Sequence, residues 1–285
     1  MNKVIFFFDY DHLSGNGHYQ RCMKFKKIFK KNSKFFFVNN KFTKFLKQNK
    51  KVNFDFGIVD SYRISFDLEK KIKKICNKLI TIDDLKNRKY ACDILINYSP
   101  VVKKKEYLNK VEKKTRLLLG EKFNFVTEFK KNKILKYKKK FILFFYLGQK
   151  NRSYIIKNIL SSIKDKERIK EIFIFGNKKK NKPHNFFLKK MDIADMLIIS
   201  SGVTLQEGLS RKKIIFSKFF SQNQKSFFNF YKKKNLIRSI SEFKSFINSP
   251  IKTINQSIQK QNKKNLGSIE AFSNVNFLKE NIIPF

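Results

Sequence analysis

Cysteine is scarce in this chain: Cys22, Cys76 and Cys92 are its only three in 285 residues. Odd in number and far apart, they exclude an internally paired disulfide framework and a regularly spaced zinc site, and they fit a reducing compartment. Acidic residues are few beside basic ones, 22 against 65, for a formal net charge of +43. Arginine is scarce too, with eight among those 65 basic residues. Recognition of phosphates and base edges favours the planar fork of arginine. The lysines are instead spread along the whole chain, together with an excess of Asn, Ile and Phe, the residues of A/T-rich codons. The charge therefore reads as compositional drift, and no specific nucleic-acid partner is expected; tight, steeply salt-dependent binding would be the mark of the opposite case.

Long apolar runs are missing as well. No stretch reaches the ~18 uncharged apolar residues of a membrane span. The opening run from Met1 passes straight into Asp9 with no small-residue cleavage site, so it reads as a first strand and not as a signal peptide. A cytoplasmic protein is expected. There is no internal repeat. His12 and His184 have no ligand-like spacing to cysteine or aspartate, so no metal site and no cofactor are expected.

What is present is an alternation of short apolar runs and amphipathic segments. Val4 to Phe8 is continuously apolar, as in a strand buried on both faces of a parallel sheet. A glycine loop follows, and from His18 onward Cys22, Phe25, Ile28 and Phe29 share one helical face. The pattern repeats with strands at Phe35 to Val38, Phe56 to Val59, Leu79 to Ile82 and Ile94 to Ile96, and helices at Phe42 to Gln48 and Phe66 to Asn77. A polar segment from Lys130 to Lys140 reads as a linker. A second set of strands spans Phe141 to Phe145, Ile172 to Phe175, Met196 to Ile199 and Ile214 to Ser217, with helices at Ser153 to Ile163, Val203 to Leu209 and Lys225 to Lys233. Such alternation predicts two doubly wound parallel-sheet, Rossmann-like α/β domains facing a cleft. Their expected extents are residues 1–135 and 136–285, the latter ending in a helix and tail after 250.

The candidate site residues stand where an open parallel sheet places ligands, between a strand's carboxyl end and the next helix. In the first such loop, Gly15 and Gly17 allow close backbone approach, and His18 is a candidate general base. Gln20 stands where a dinucleotide fingerprint needs its third glycine, which argues against that cofactor. Ser201, Gly202 and Thr204 form a second strand-to-helix junction suited to a phosphate, with Glu207 one turn into the helix and able to accept from a ribose diol. The same residues also suit simple helix capping. Asp60, Ser61 and Tyr62, the pair Asp83 and Asp84, and Asn223 with Gln224 follow other strands, and at least one of the paired aspartates is expected to cap the next helix. His184 is read as part of a lysine-rich loop.

In ordered blocks these residues resemble the UDP-2,4-diacetamido-2,4,6-trideoxy-β-L-altropyranose hydrolases of pseudaminic acid biosynthesis, relatives of the MurG-like glycosyltransferases with the GT-B fold. The blocks are Gly15, Gly17, His18 and Arg21; Val59, Asp60 and Tyr62; Ile82 to Asp84 with Cys92 to Asn97; Gly120 and Phe123 with Glu128 and Phe129; Ile198 to Glu207; and Asn223 with Gln224. The resemblance implies a metal-independent, inverting hydrolase of a UDP-sugar, with His18 activating water; a monomer is expected. It implies further that Gly15, Gly17, Arg21, Asp60, Tyr62, Asn223 and Gln224 contact the substrate, and that Ser201, Gly202, Thr204 and Glu207 hold the UDP. The sequence departs from the family at Leu147 to Lys150, where a Gly-Gly-x-Asp loop is usual, and at Thr127, where an arginine is usual. A glycosyltransferase using a UDP-sugar donor, or a nucleotide-sugar-binding relative without turnover, stays open alongside the hydrolase.

Overall fold

The computed structural model describes residues 2–10, 17–30, 32–49, 52–126, 137–148, 152–176, 184–263 and 281–282. The chain divides into two compact units. The first comprises Met1–Thr127 with Ala271–Phe285, and the second comprises Glu128–Glu270. The sequence reading put the whole terminal segment into the second unit. Asn281 instead belongs with the first, where its backbone carbonyl and side-chain oxygen both accept from Arg116 at 2.8 Å.

The first unit is a parallel sheet built from β1 (Lys3–Phe8), β2 (Lys34–Asn39), β3 (Phe54–Asp60), β4 (Cys76–Ile82), β5 (Ile94–Asn97) and β6 (Arg116–Leu119), in the order β2-β1-β3-β4-β5-β6. Its helices include α1 (Gly17–Phe25), α2 (Phe42–Gln48) and α3 (Phe66–Lys73). Val4 to Phe8 are all buried, because a central parallel strand is covered on both faces. Ile5, Phe7, Val59, Leu79 and Leu95 from four neighbouring strands share one core with Phe42 and Leu46 of α2 and Ile72 of α3. Ser65 caps α3 by accepting from the Leu68 N–H at 3.3 Å, with acids in the first turn and lysines in the last, the arrangement the helix dipole favours. This helix stops four residues before the predicted Asn77, because Cys76 is already paired with Phe54 in the sheet. Ile72, Ile75 and Cys76 continue a helical spacing into the strand, which is why periodicity did not mark the end. The strand β6, four residues long, escaped the sequence reading and pairs in register with β5.

The second unit orders β7 (Phe141–Tyr146), β8 (Ile169–Phe175), β9 (Met196–Ser200), β10 (Ile214–Lys218) and β11 (Arg238–Ser239) as β11-β10-β9-β7-β8, again all parallel. Around it stand α4 (Ser153–Ser161), α5 (His184–Ile193), α6 (Val203–Ser210), α7 (Gln222–Lys233), α8 (Phe243–Ile247) and α9 (Ile251–Lys263). His184 opens α5 and does not lie in a loop, and Asn223 and Gln224 sit in the first turn of α7. The helix expected after Pro250 is α9. Gly208 lets α6 lie close on the sheet: a Cβ there would come within 2.7 Å of Leu197 Cδ1 and 3.0 Å of Ile215 Cδ1. Most of the predicted linker falls outside the described residues.

In each sheet the strand order reverses once beside its first strand, between β1 and β3 in one unit and between β7 and β9 in the other. Adjacent loops leave in opposite directions at such a point, and the carboxyl ends of the two strands open a crevice.

Candidate functional site

At the first reversal, β3 ends on Asp60 and α1 begins at Gly17. His18 and Arg21, three residues apart near the start of α1, lie on one face, and Cys22 and Phe25 continue that face into the core. Both polar side chains meet Asp60. His18 Nδ1 lies 2.6 Å from Asp60 Oδ1. Arg21 donates through Nε to Oδ2 and through Nη2 to Oδ1, each at 2.7 Å. All three are nearly sealed from solvent, at 3% exposure for His18, 6% for Arg21 and 1% for Asp60.

An ionised Asp60 accepts only, so the ring proton of His18 sits on Nδ1 and the lone pair stays on Nε2. The 2.9 Å approach of Arg21 Nη2 to His18 Nδ1 is then a meeting of two donors that aim at the same oxygen, not a hydrogen bond. Burial works against charge on Asp60, but Arg21 and His18 outweigh it and hold the carboxyl at about 2. Burial likewise opposes the Arg21 cation, and Asp60 with Tyr98 more than compensates. The outcome is a fixed tautomer: a histidine with its orienting carboxylate behind it and a basic nitrogen in front, the geometry of a general base.

Aromatic hydroxyls surround this dyad. Tyr62 stands edge-on to the His18 ring, with centroids 4.6 Å apart, and donates to Asp84 Oδ2 at 3.0 Å. Tyr98 accepts from Arg21 Nη1 at 3.1 Å. The backbone is held by further carboxylates. Asp9 accepts from the Ser61 hydroxyl at 2.6 Å and the Tyr62 N–H at 2.7 Å, tying the end of β1 to the turn that carries Tyr62. Asp83 accepts from the N–H groups of Leu85 and Lys86 and from the Tyr107 hydroxyl. It therefore fastens a turn in which Lys86 has φ +59°. The expected helix cap is a turn anchor, since no helix follows β4 before β5.

At the second reversal the groups are of another kind. Ser201 is fully buried, and its hydroxyl shares a 2.7 Å hydrogen bond with Ser217. Gly202 precedes α6, whose first turn offers N–H groups with no side-chain cap at Gly202. The Phe220 N–H donates to Gln224 Oε1 at 3.0 Å, which fixes the amide so that Nε2 is its donor end. That nitrogen lies 3.7 Å from where a Cβ on Gly202 would stand. Gly202, Thr204, Asn223 and Gln224 are half-buried. Glu207 is buried in an ion pair with Arg211 four residues on, at 2.6 Å, and Arg211 also reaches Asp192 at 2.6 Å.

The structure thus brings His18, Arg21, Asp60 and Tyr62 together in one unit and Ser201, Gly202, Thr204 and Gln224 in the other. Gly17 lies beside Arg21, a Cβ there falling 4.0 Å from Nη1. Gly15, Thr127 and residues 149–150 of the divergent loop lie outside the described residues. Sequence reasoning missed Tyr98, although it directly follows the matched block Cys92 to Asn97 at the end of β5, and missed the Arg211 partner of Glu207. Among the described residues no group of three or more His, Cys, Asp or Glu could hold a metal ion, and no helix is long and apolar enough to cross a membrane. A cavity of about 630 Å³ elsewhere in the first unit runs along β6, lined by Leu108, Val111, Leu117 and Phe123 among others, and touches none of this network.

No family model and no curated protein sequence matches the chain. Solved structures do. The glycotransferase of kitacinnamycin superposes with a TM-score of 0.60 at 9% identity, covering 99% of this chain and 98% of that one. Arabidopsis thaliana UGT89C1 complexed with UDP gives 0.59 at 8% identity, over 99% and 100%. The UDP-GlcNAc 2-epimerase from Neisseria meningitidis, bound to UDP-GlcNAc, gives 0.58 at 10% identity, over 99% of each chain. Identities this low speak for fold alone. With its two parallel-sheet units, the chain has the GT-B fold.

Proposed function

We propose that this chain is an enzyme that acts on a UDP-linked sugar and cleaves the anomeric C–O bond with water, releasing UDP and the free sugar with inversion. The observation that carries the reading is the buried dyad of His18 and Asp60, whose 2.6 Å contact leaves Nε2 as the one basic ring nitrogen. A structural histidine has no need of a carboxylate and a guanidinium locked behind it at the carboxyl end of a parallel sheet. In this reading His18 Nε2 takes a proton from water, and water oxygen attacks the anomeric carbon opposite the diphosphate. Asp60 orients the base and balances the imidazolium that forms. The resemblance places Asp60 and Arg21 against the sugar; Asp60 is spent on His18 and Arg21, and Arg21 on Asp60 and Tyr98, so here they act from behind the base. Gly15, Gly17, Tyr62, Asn223 and Gln224 are assigned to the sugar and its phosphate.

UDP is assigned to the second unit. There the first turn of α6, Gly202, Thr204 and the amide of Gln224 offer neutral donors to a diphosphate. Ser201 shapes that junction through Ser217. Glu207, whose carboxylate Arg211 already engages, reaches a ribose only while keeping that pair. A sugar whose 2- and 4-positions carry acetamido groups is the substrate that the ordered sequence blocks favour, and the pathway is pseudaminic acid biosynthesis. The glycotransferase of kitacinnamycin, which shares the fold, supports a second reading, in which the same dyad deprotonates an acceptor hydroxyl.

The test is release of UDP from the UDP-diacetamido-trideoxyhexose without acceptor, by wild type and by His18→Ala. Release by wild type alone supports the hydrolase. Release that begins only when an acceptor is added selects the transferase, and equal release by both proteins removes His18 from the chemistry.

A further inference from the structure

Around the base, six side chains close into a ring. Asp84 bonds the Tyr62 hydroxyl at 3.0 Å, Tyr62 touches the His18 ring at 4.6 Å between centroids, and His18 meets Asp60 at 2.6 Å. Asp60 binds Arg21 at 2.7 Å, Arg21 donates to Tyr98 at 3.1 Å, and Tyr98 returns to Asp84 at 3.5 Å. Asp84 is the member that the reaction above leaves without a task. Its bonding is unlike that of the other carboxylates at this end of the sheet. Asp9, Asp60 and Asp83 each have both oxygens engaged. Asp84 uses Oδ2 only, while Oδ1 is buried and has no hydrogen-bond partner among the described residues.

Charge counting gives this difference a meaning. Arg21 is the single permanent cation of the ring, and Asp60 already balances it. A second ionised carboxylate would leave net negative charge where little water screens it, whereas a protonated Asp84 leaves the ring neutral. When His18 takes a proton the ring gains one positive charge, and ionisation of Asp84 restores neutrality. The groups facing Asp84 are Tyr62 and Asp60 from the end of β3, Arg21 from α1, Tyr98 from the segment after β5 and Asp83 from its own turn. Burial lifts the Asp84 carboxyl; Arg21 and the Tyr62 hydroxyl act against that lift, and Asp83 and Asp60 add to it.

We propose that Asp84 is a positioning residue for His18, the proton-carrying counter-group of this ring, protonated while His18 is neutral and ionised when His18 becomes the imidazolium. In turnover, water oxygen bonds to the anomeric carbon and the carbon–oxygen bond to the diphosphate breaks, its electron pair leaving with UDP. The water proton goes to His18 Nε2; Tyr62, 46% exposed, turns the hydroxyl proton it donates to Asp84 out to solvent and takes the Asp84 proton in its place. Release of the His18 proton and reprotonation of Asp84 reset the site. Only the kinetic consequence rests on the hydrolase reading.

The experiment has a ligand-free arm and a kinetic arm. In the intact chain without ligand, the ¹³C carboxyl resonance of Asp84 is expected to titrate at higher pH than the His18 ring followed by ¹⁵N in the same sample, well above the ordinary carboxylate midpoint of about 3.9. In His18→Gln that midpoint is expected to stay in place, because His18 is already neutral when Asp84 ionises; a carboxylate that ionised first, under the imidazolium, would rise instead. An ordinary midpoint, one below that of the His18 ring, or one that rises in His18→Gln overturns the proposal. Asp84→Asn keeps an acceptor for Tyr62 and mimics the protonated acid, so a structural role predicts no change. The proposal predicts kcat down about tenfold with KM held and the acid limb of the pH profile displaced; an unchanged kcat and profile overturn it. If wild type hydrolyses no UDP-sugar at all, the hydrolase reading falls and the carboxyl titration alone decides the role of Asp84.

Discussion

The two strand reversals of this molecule have the same topology and opposite chemistry. In the first unit the crevice end of the sheet is filled with titratable groups, where His18, Arg21, Asp60 and Asp84 are tied to tyrosine hydroxyls and to one another. In the second, the corresponding junction offers neutral donors, backbone N–H groups of α6 and an oriented amide on Gln224, while the buried Ser201 hydroxyl is spent on Ser217. Charge that is buried and paired is costly to assemble and strongly coupled to its neighbours. Such a site suits proton transfer, which needs a base held in one tautomer. Neutral donors at a helix start hold an anion without committing the protein to a charge of its own. In the proposed reading, the first unit does the chemistry and the second binds the nucleotide.

The sharpest way to break this division is His18→Ala. A loss of about 10² to 10⁴ in kcat is expected, with the affinity for UDP measured by calorimetry unchanged; weakened UDP binding would mean that the first unit also holds the nucleotide. Next in size is Arg21→Ala, which leaves Asp60 buried beside an uncharged gap. It should destabilise the first unit by about 3–5 kcal/mol, read from denaturant unfolding followed by tyrosine fluorescence, since the chain has no tryptophan.

The acid response of the same unit comes third. Asp60 sits at about 2 against an ordinary 3.8. The stability it lends is therefore fully present above the ordinary value and is lost as pH falls through 2. About 2 kcal/mol should disappear between roughly pH 5 and pH 2, and acid unfolding of Asp60→Asn should lack that slope. Smallest is Gln224→Ala, expected to weaken UDP by about 1 kcal/mol, roughly fivefold, while unfolding stays unchanged. A loss of kcat without a loss of affinity there would erase the contrast between the units.

Much of this arrangement is legible in the sequence, because strand ends are marked by apolar runs and site residues follow them directly. Val4 to Phe8 and Phe141 to Phe145 announce the first strand of each sheet, and the loop with Gly17 and His18 falls where the first sheet reverses. Asp60 and Tyr62 could be placed at a crevice in the same way. Their partners could not. Tyr98 stands 77 residues from Arg21 in the chain, and Asp84 stands 22 from Tyr62; such contacts depend on strand order, which apolar periodicity does not encode. Glu207 shows the reverse case, a local partner that was legible and not used. Its spacing of four to Arg211 is the ordinary signature of an ion pair within a helix, and the resemblance drew attention to a ribose instead. The strand β6 was missed because Arg116 to Leu119 is too short to rise above its lysine-rich surroundings.

The central claim is that His18 activates a water that attacks carbon. It is tested most directly by turning over the UDP-sugar in H₂¹⁸O without acceptor and locating the isotope by mass spectrometry. One ¹⁸O in the released sugar, none in the UDP, and no release by His18→Ala is the predicted result. Label in the UDP phosphate, or label in the sugar at the wild-type rate in His18→Ala, would contradict it.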